Sequence, residues 1–220
     1  LIVHRIQTPA FLATSFALAV SGIFAAGPSR AEEKAAEKPM AALAIGESVP
    51  DFTLADTEGA KHRLADYLGK DRLVVLEWFN PDCPFIKKHH AAHTTLNDLY
   101  AFLGDRAVLL AVNSGAPGKQ GHGLERNRAA KKDYGIPFPI LLDEEGTVGR
   151  LYGAKTTPHM YVISPEGKLL YQGALDDNPS ATELGKTNYV RAAVEQHAAG
   201  GAIAVRESKP YGCSVKYAAP

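Results

Sequence analysis

The sequence predicts an α/β fold in which a central mixed sheet carries helices on both faces. Three observations predict it. Short apolar runs without polar alternation mark strands covered on both sides, charged helix-compatible stretches separate those runs, and a hairpin signal comes late in the chain. Parallel neighbours need crossovers and helices supply them, so the order strand–helix–strand–helix–strand–hairpin–helix builds such a sheet.

Taken in order, Ile45 to Leu54 reads as a short extended segment, followed by a polar turn over Asp56 to Gly59. Leu73 to Phe79 is a continuous, β-rich apolar run, broken by Asn80-Pro81-Asp82-Cys83-Pro84. Pro84 suits a first helical position, and Ile86, Leu96, Leu99, Tyr100 and Leu103 give helical spacing over 85–103. Ala107 to Val112 is a second buried-type strand, and the glycine-rich stretch 113–123 is a loop. Leu124 to Tyr134 predicts a charged helix closed by Gly135. Pro139 to Leu142 is short and extended, and Thr147 to Tyr152 is a helical turn. Met160–Ile163 and Lys168–Gln172 flank Ser164-Pro165-Glu166-Gly167, a hairpin turn. Glu183 to Ala199 predicts the last helix, ended by Gly200 and Gly201.

The 220 residues carry 24 Lys+Arg against 24 Asp+Glu, with 45% hydrophobic and 22% charged residues. That mixture argues against disorder, and the absent basic excess argues against a nucleic-acid partner. Two cysteines are too few for a disulfide scaffold or a four-thiolate zinc site, and no cofactor is implied. His4 and Arg5 precede a weakly apolar stretch, 11–26, that ends before Ser29-Arg30-Ala31. A basic flank, a short apolar core and a small-residue cleavage site read as a signal peptide over 1–31, so no stable membrane span is expected after cleavage. Residues 32–42 read as a charged linker, 43–200 as one domain, and 201–220 as a tail carrying the second cysteine. The expected location is periplasmic or secreted, where a disulfide can persist.

Cys83 stands where an apolar strand turns into a helix. Unpaired N–H groups and the helix dipole at such a junction favour a thiolate. Lys87 and Lys88 add positive charge one turn on, and Asp82 opposes them. Trp78-Phe79-Asn80-Pro81-Asp82-Cys83-Pro84-Phe85-Ile86 resembles the active-site stretch of thioredoxins and peroxiredoxins. With the following Lys87-Lys88-His89 and the terminal Lys209-Pro210-Tyr211-Gly212-Cys213, it is most similar to exported peroxiredoxin-like redoxins of the alkyl hydroperoxide reductase/thiol-specific antioxidant type. The resemblance covers most of 43–217 and implies a thioredoxin-like fold.

The chain departs from both patterns. Ile86 stands where a thioredoxin has its second cysteine. Asn80 and Leu76 replace the peroxiredoxin Thr/Ser and Pro, and Pro158 falls near the place of the peroxide-polarising arginine. Asn80 could still donate a hydrogen bond to a bound peroxide. Thr156-Thr157-Pro158-His159 points to the thioredoxin side. There the resemblance implies a cis peptide at Pro158 whose backbone neighbours, including Thr157, receive an extended substrate, with His159 close by. Glu77, six residues before Cys83, matches the buried acid of thioredoxins; a desolvated carboxylate is a usable base, or merely a hydrogen-bonded one at a sheet end.

Cys213 is the other cysteine, and it could resolve oxidised Cys83 in place of the residue missing at Ile86, or stay a buried tail residue that never approaches it. His89 and His93 are four apart on a helix and could bind a metal, but no third ligand can be named and a solvated helix face is the expectation. The function expected is thiol-based oxidoreduction by Cys83 on a peroxide or disulfide, reset by an external thiol reductant. Two rivals remain. One is a non-catalytic protein binding a soft metal, copper, through Cys83, His159 and Cys213. The other is a domain with those two cysteines permanently bonded.

Overall fold

The computed structural model describes Ile2 and residues 43–219; the expected leader and linker lie outside the described residues. Nine strands and five α-helices follow one another in residues 53–214, the third of the helices, α3 (Leu124–Asp133), standing where a charged helix is expected. Seven strands form one sheet, in the order β2 (Lys61–Arg63), β1 (Thr53–Asp56), β5 (Ile140–Leu142), β4 (Ala107–Asn113), β3 (Leu73–Trp78), β7 (Met160–Ile163), β8 (Leu169–Gly173). β3, β4 and β5 run parallel, whereas β7 pairs antiparallel with β3 and with β8, the second of these pairs being the expected hairpin. This is the thioredoxin-like α/β fold with a mixed central sheet.

Strand β3 shows why its sequence lacks polar alternation: both of its faces are buried. Leu73, Val75 and Phe79 enter one core with Leu109 and Ala111 of β4. Val74, Leu76 and Trp78 enter the other with Leu110 and Val112. The first core is roofed by α2 (Thr95–Leu103) and α5 (Tyr189–Ala198) through Leu96, Leu99, Leu103, Val190 and Val194. The second is closed by Phe52, Leu64, Tyr152 and Val148 of α4 (Thr147–Leu151). Removing such a large apolar area from water on both faces drives the assembly.

Two expected helices are corrected. The single helix over 85–103 is split into α1 (Pro84–Lys87), a π-helical turn over Lys88–Ala92, and α2, with His93 extended between them at φ −131°, ψ 143°. Lys88, His89 and His90 are consecutive and all buried, which the face of a regular amphipathic helix cannot achieve. The wider turn, closed by His93 N–H on the Lys88 carbonyl at 3.0 Å, turns all three inward. The histidines at 89 and 90 are therefore core residues rather than a solvated face.

The last helix starts at Tyr189, not Glu183. Asn188 caps it by accepting from Arg191 N–H at 2.9 Å. The preceding residues are drawn into a loop by Asp177, which accepts from Lys186 N–H at 2.7 Å and Thr187 N–H at 3.1 Å. A Cβ on Gly185 would lie 2.2 Å from that carboxylate.

The tail does not hang free of the domain. Ser208 N–H donates to the Gln172 carbonyl at 3.1 Å, Val215 N–H to the Lys155 carbonyl at 3.1 Å, and the Tyr217 hydroxyl to the Ala154 carbonyl at 2.9 Å. Between these points β9 (Cys213–Ser214) pairs antiparallel with β6 (Thr156–Thr157) in a second, two-stranded sheet. Among the described residues no helix is long and apolar enough to cross a membrane.

Candidate active site

β3 delivers the chain into a tight turn. Asn80 Oδ1 accepts from Asp82 N–H at 2.9 Å, and the Asn80 carbonyl accepts from Cys83 N–H at 3.1 Å. Asn80 Nδ2 donates to the Gln120 carbonyl at 3.3 Å, so its amide is spent on shaping the turn. Cys83 caps α1 with Pro84 following it, and its carbonyl accepts from Lys87 N–H at 3.0 Å. The negative charge expected to oppose the site is taken up elsewhere: Asp82 pairs with Arg126 at 2.6 Å.

Cys83 is 0% exposed, in the first core. Its thiol donates to the Thr157 carbonyl at 3.0 Å. The Thr157–Pro158 peptide is cis, as the resemblance implies. Across the small sheet, Thr157 is the register partner of Cys213. The two cysteines thus converge on one residue, both as free thiols. Burial, then a hydrogen bond with Cys83, pushes the Cys213 thiol up to about 11. Gly212 makes the close approach feasible: its φ is +138°, and a Cβ there would lie 2.2 Å from the Thr157 oxygen. The protein's own tail therefore lies along the edge where an extended substrate was expected.

Glu77 is wholly buried in β3, between Ala111 and Met160. Its side chain pairs with His90 Nε2, at 2.9 and 3.1 Å from the two carboxylate oxygens. Sequence reasoning leaves His90 on a solvated helix face, because the four consecutive polar residues 87–90 look solvated. The structure does not bring His159 to the cysteines. Its Nδ1 accepts from Lys155 N–H at 3.3 Å and lies 3.0 Å from the Tyr161 hydroxyl, with the two rings 4.6 Å apart. Burial, with Lys155 adding to it, lowers that imidazole to about 3. The three ligands of the copper reading are not gathered, and among the described residues no group of three His, Cys, Asp or Glu side chains is placed to hold a metal.

Asp176 and Tyr211 were missed, and Lys88 was read only as a nearby charge and not as a buried partner of both. Lys88 and Tyr211 stand inside the two stretches that carry the family resemblance, but nothing in their spacing shows that they meet. Burial alone would raise the Asp176 carboxyl; hydrogen bonds from Tyr211 and from the N–H groups of Gly185 and Asn178 outweigh it and hold the group below the ordinary range.

The arrangement can bring two thiols together on a cis-proline edge beside a buried carboxylate–imidazole pair. The model of the AhpC/TSA family matches residues 45–172, a stretch that contains Cys83, Glu77 and Pro158. A thiol-disulfide oxidoreductase ResA of Geobacillus thermodenitrificans (strain NG80-2) is 35% identical over 129 residues, covering 58% of this chain and 68% of that protein. A hypothetical protein of Sinorhizobium meliloti 1021 superposes with a TM-score of 0.68 at 28% identity, covering 82% of this chain and 98% of that one. A putative thiol:disulfide interchange protein DsbE of Chlorobium tepidum shares the fold, with a TM-score of 0.53 at 22% identity over 72% of this chain and 98% of that one.

Proposed function

Because the chain belongs to the AhpC/TSA family, and is an oxidoreductase of the thioredoxin-like redoxin type, we propose that it exchanges thiols and disulfides through Cys83, with Cys213 as the resolving thiol. The single observation that carries this reading is the convergence of both cysteines on Thr157.

The exchange runs in two steps. The Cys83 thiolate attacks one sulfur of a substrate disulfide, forming a mixed disulfide and expelling the other half as a thiolate that takes up a proton. Cys213 then loses its proton and attacks the Cys83 sulfur. The Cys83–Cys213 bond forms, the mixed disulfide breaks, and the second substrate thiol leaves. Two electrons have passed from the cysteine pair to the substrate, and an external thiol reductant returns them. Glu77 and His90, buried on the Cys83 side of the sheet, are the groups able to take and return a proton there. Thr157 and Pro158 supply the backbone edge.

Treatment of the reduced protein with oxidised glutathione tests this. The wild type is expected to end as an intramolecular disulfide with no bound glutathione, and Cys213→Ser to stop as a glutathione adduct on Cys83. Stable adducts on both cysteines of the wild type would refute the pairing. The reading also places the protein outside the cytoplasm, on the strength of the apolar amino-terminal stretch and of two cysteines placed to pair. Amino-terminal sequencing of protein recovered from a periplasmic fraction checks it, with cleavage expected after Ala31.

A further inference from the structure

Lys88, Asp176 and Tyr211 take no part in the exchange, yet they bury charge beside it. The Lys88 side chain is 0% exposed and that of Asp176 4%, with Nζ 3.3 Å from Oδ2. Lys88 Nζ also donates to the Asn178 carbonyl at 2.9 Å and to the Tyr211 hydroxyl at 3.3 Å, and lies 5.3 Å from the centre of the Tyr211 ring. Tyr211 in turn donates to Asp176 Oδ1, and its ring is 5.8 Å from that of Phe85. Asp176 further accepts from Asn178 N–H at 3.1 Å and Gly185 N–H at 2.8 Å. A desolvated ion pair is a poor device for stability, because packed apolar side chains of similar volume serve as well or better. Its geometry offers another reason. Lys88 lies one turn after Cys83, Asp176 lies in the loop after β8, and Tyr211 lies two residues before Cys213.

We propose that Lys88, Asp176 and Tyr211 form a latch that holds the tail on the cis-proline edge, positioning Cys213 over Cys83 and closing Cys83 to outside reagents. This rests on the proposed pairing of the two cysteines and adds what controls it. All three are positioning residues, acting through the tail. With the latch closed, β9 occupies the edge of β6 and Cys83 is fully buried. With it open, Lys88 regains water, the edge is free for an incoming disulfide strand, and Cys83 is reachable. Reclosure then delivers Cys213 to the mixed disulfide.

Tyr211→Phe is the decisive variant, because it keeps the ring against Phe85 and under the lysine and removes only the hydroxyl. Loss of a hydrogen bond to a buried charged group is worth about tenfold or more in the equilibrium it biases. In the reduced protein, labelling of Cys83 by iodoacetamide, read by peptide mass mapping, is expected to accelerate about tenfold. The urea midpoint should fall by no more than that same bias accounts for, and the equilibrium constant for closing the Cys83–Cys213 bond against glutathione should fall. Should Tyr211→Phe not fold, Lys88→Met, which keeps the apolar stem and removes the amine, is read by the same labelling. Unchanged Cys83 labelling in the folded variant would overturn the latch. Whether wild-type protein closes the disulfide at all is a separate reading: closure with unchanged labelling refutes the latch alone, and no closure in the wild type refutes the pairing beneath it.

Discussion

The Cys213 thiol holds its proton up to about 11, against an ordinary 9.0, and burial is the larger cause, followed by the hydrogen bond with Cys83. While Cys83 is a thiol, Cys213 is a poor nucleophile; once Cys83 is tied up in a mixed disulfide, the second cause is gone and attack becomes easier. The same shift has a thermodynamic sign. Between about pH 9 and 11 the unfolded chain has lost the Cys213 proton and the folded one has kept it, so stability falls as pH rises through that window. The urea midpoint of the reduced wild type should drop there more than that of Cys213→Ser; equal drops would deny the thiol its raised value. His159 works at the acid end. Its imidazole is neutral in the fold down to about 3, whereas the unfolded side chain takes a proton near 6.5. Stability therefore falls as pH drops from about 6.5 toward 3, and His89, lowered to about 3 chiefly by burial, acts in the same direction. In His159→Gln the acid slope of stability against pH should be shallower by up to one proton. An unaltered slope would mean that the imidazole already titrates normally in the folded protein.

At the scale of elements, the site depends on one short pairing. β6 and β9 are two residues each and join segments far apart in sequence, so neither pattern nor turn chemistry announces them. β3, β4 and the β7–β8 hairpin were legible because each buries on both faces or closes on a turn of known chemistry, as Gly167 does at φ +76°. Cys83 was legible because it stands where the β3 run turns into a helix, whereas Glu77 and Pro158 were legible only through the resemblance to thioredoxins. Lys88 and His90 were not, since burying a charge or an imidazole becomes visible only when its partner, Asp176 or Glu77, is seen beside it. The π turn follows from that burial and not from the apolar spacing, which favours a continuous helix. Gly212 tests how far the site depends on β9. In Gly212→Ala the added methyl group cannot stand 2.2 Å from the Thr157 oxygen, so the tail strand must lift while the seven-stranded sheet persists. Far-ultraviolet circular dichroism should match the wild type, and closure of the Cys83–Cys213 bond after addition of oxidised glutathione should slow at least about tenfold. Wild-type closure kinetics in this variant would show that β9 need not dock for the thiols to react.

At the scale of the molecule, a bond between Cys83 and Cys213 links the turn after β3 to the second, two-stranded sheet. It joins the helix that leaves the central strand to the last strand of the chain, enclosing about 130 residues by their numbering. A loop that long removes much of the freedom of the unfolded chain, about 5 kcal/mol in the chain-entropy account before any native strain is subtracted. The reduced fold already holds both cysteines against Thr157, so closing the bond asks for little rearrangement of the sheet or of the two cores. Oxidation should therefore raise the urea midpoint of the wild type and lower its denaturant slope, because a cross-linked unfolded chain exposes less surface. Cys213→Ser should show neither change under the same treatment. A wild-type midpoint that falls on oxidation would mean that the bond forms only by pulling the tail or the Cys83 turn out of place. In that case the thiols' convergence in the reduced state would reflect packing against Thr157 and not readiness to join.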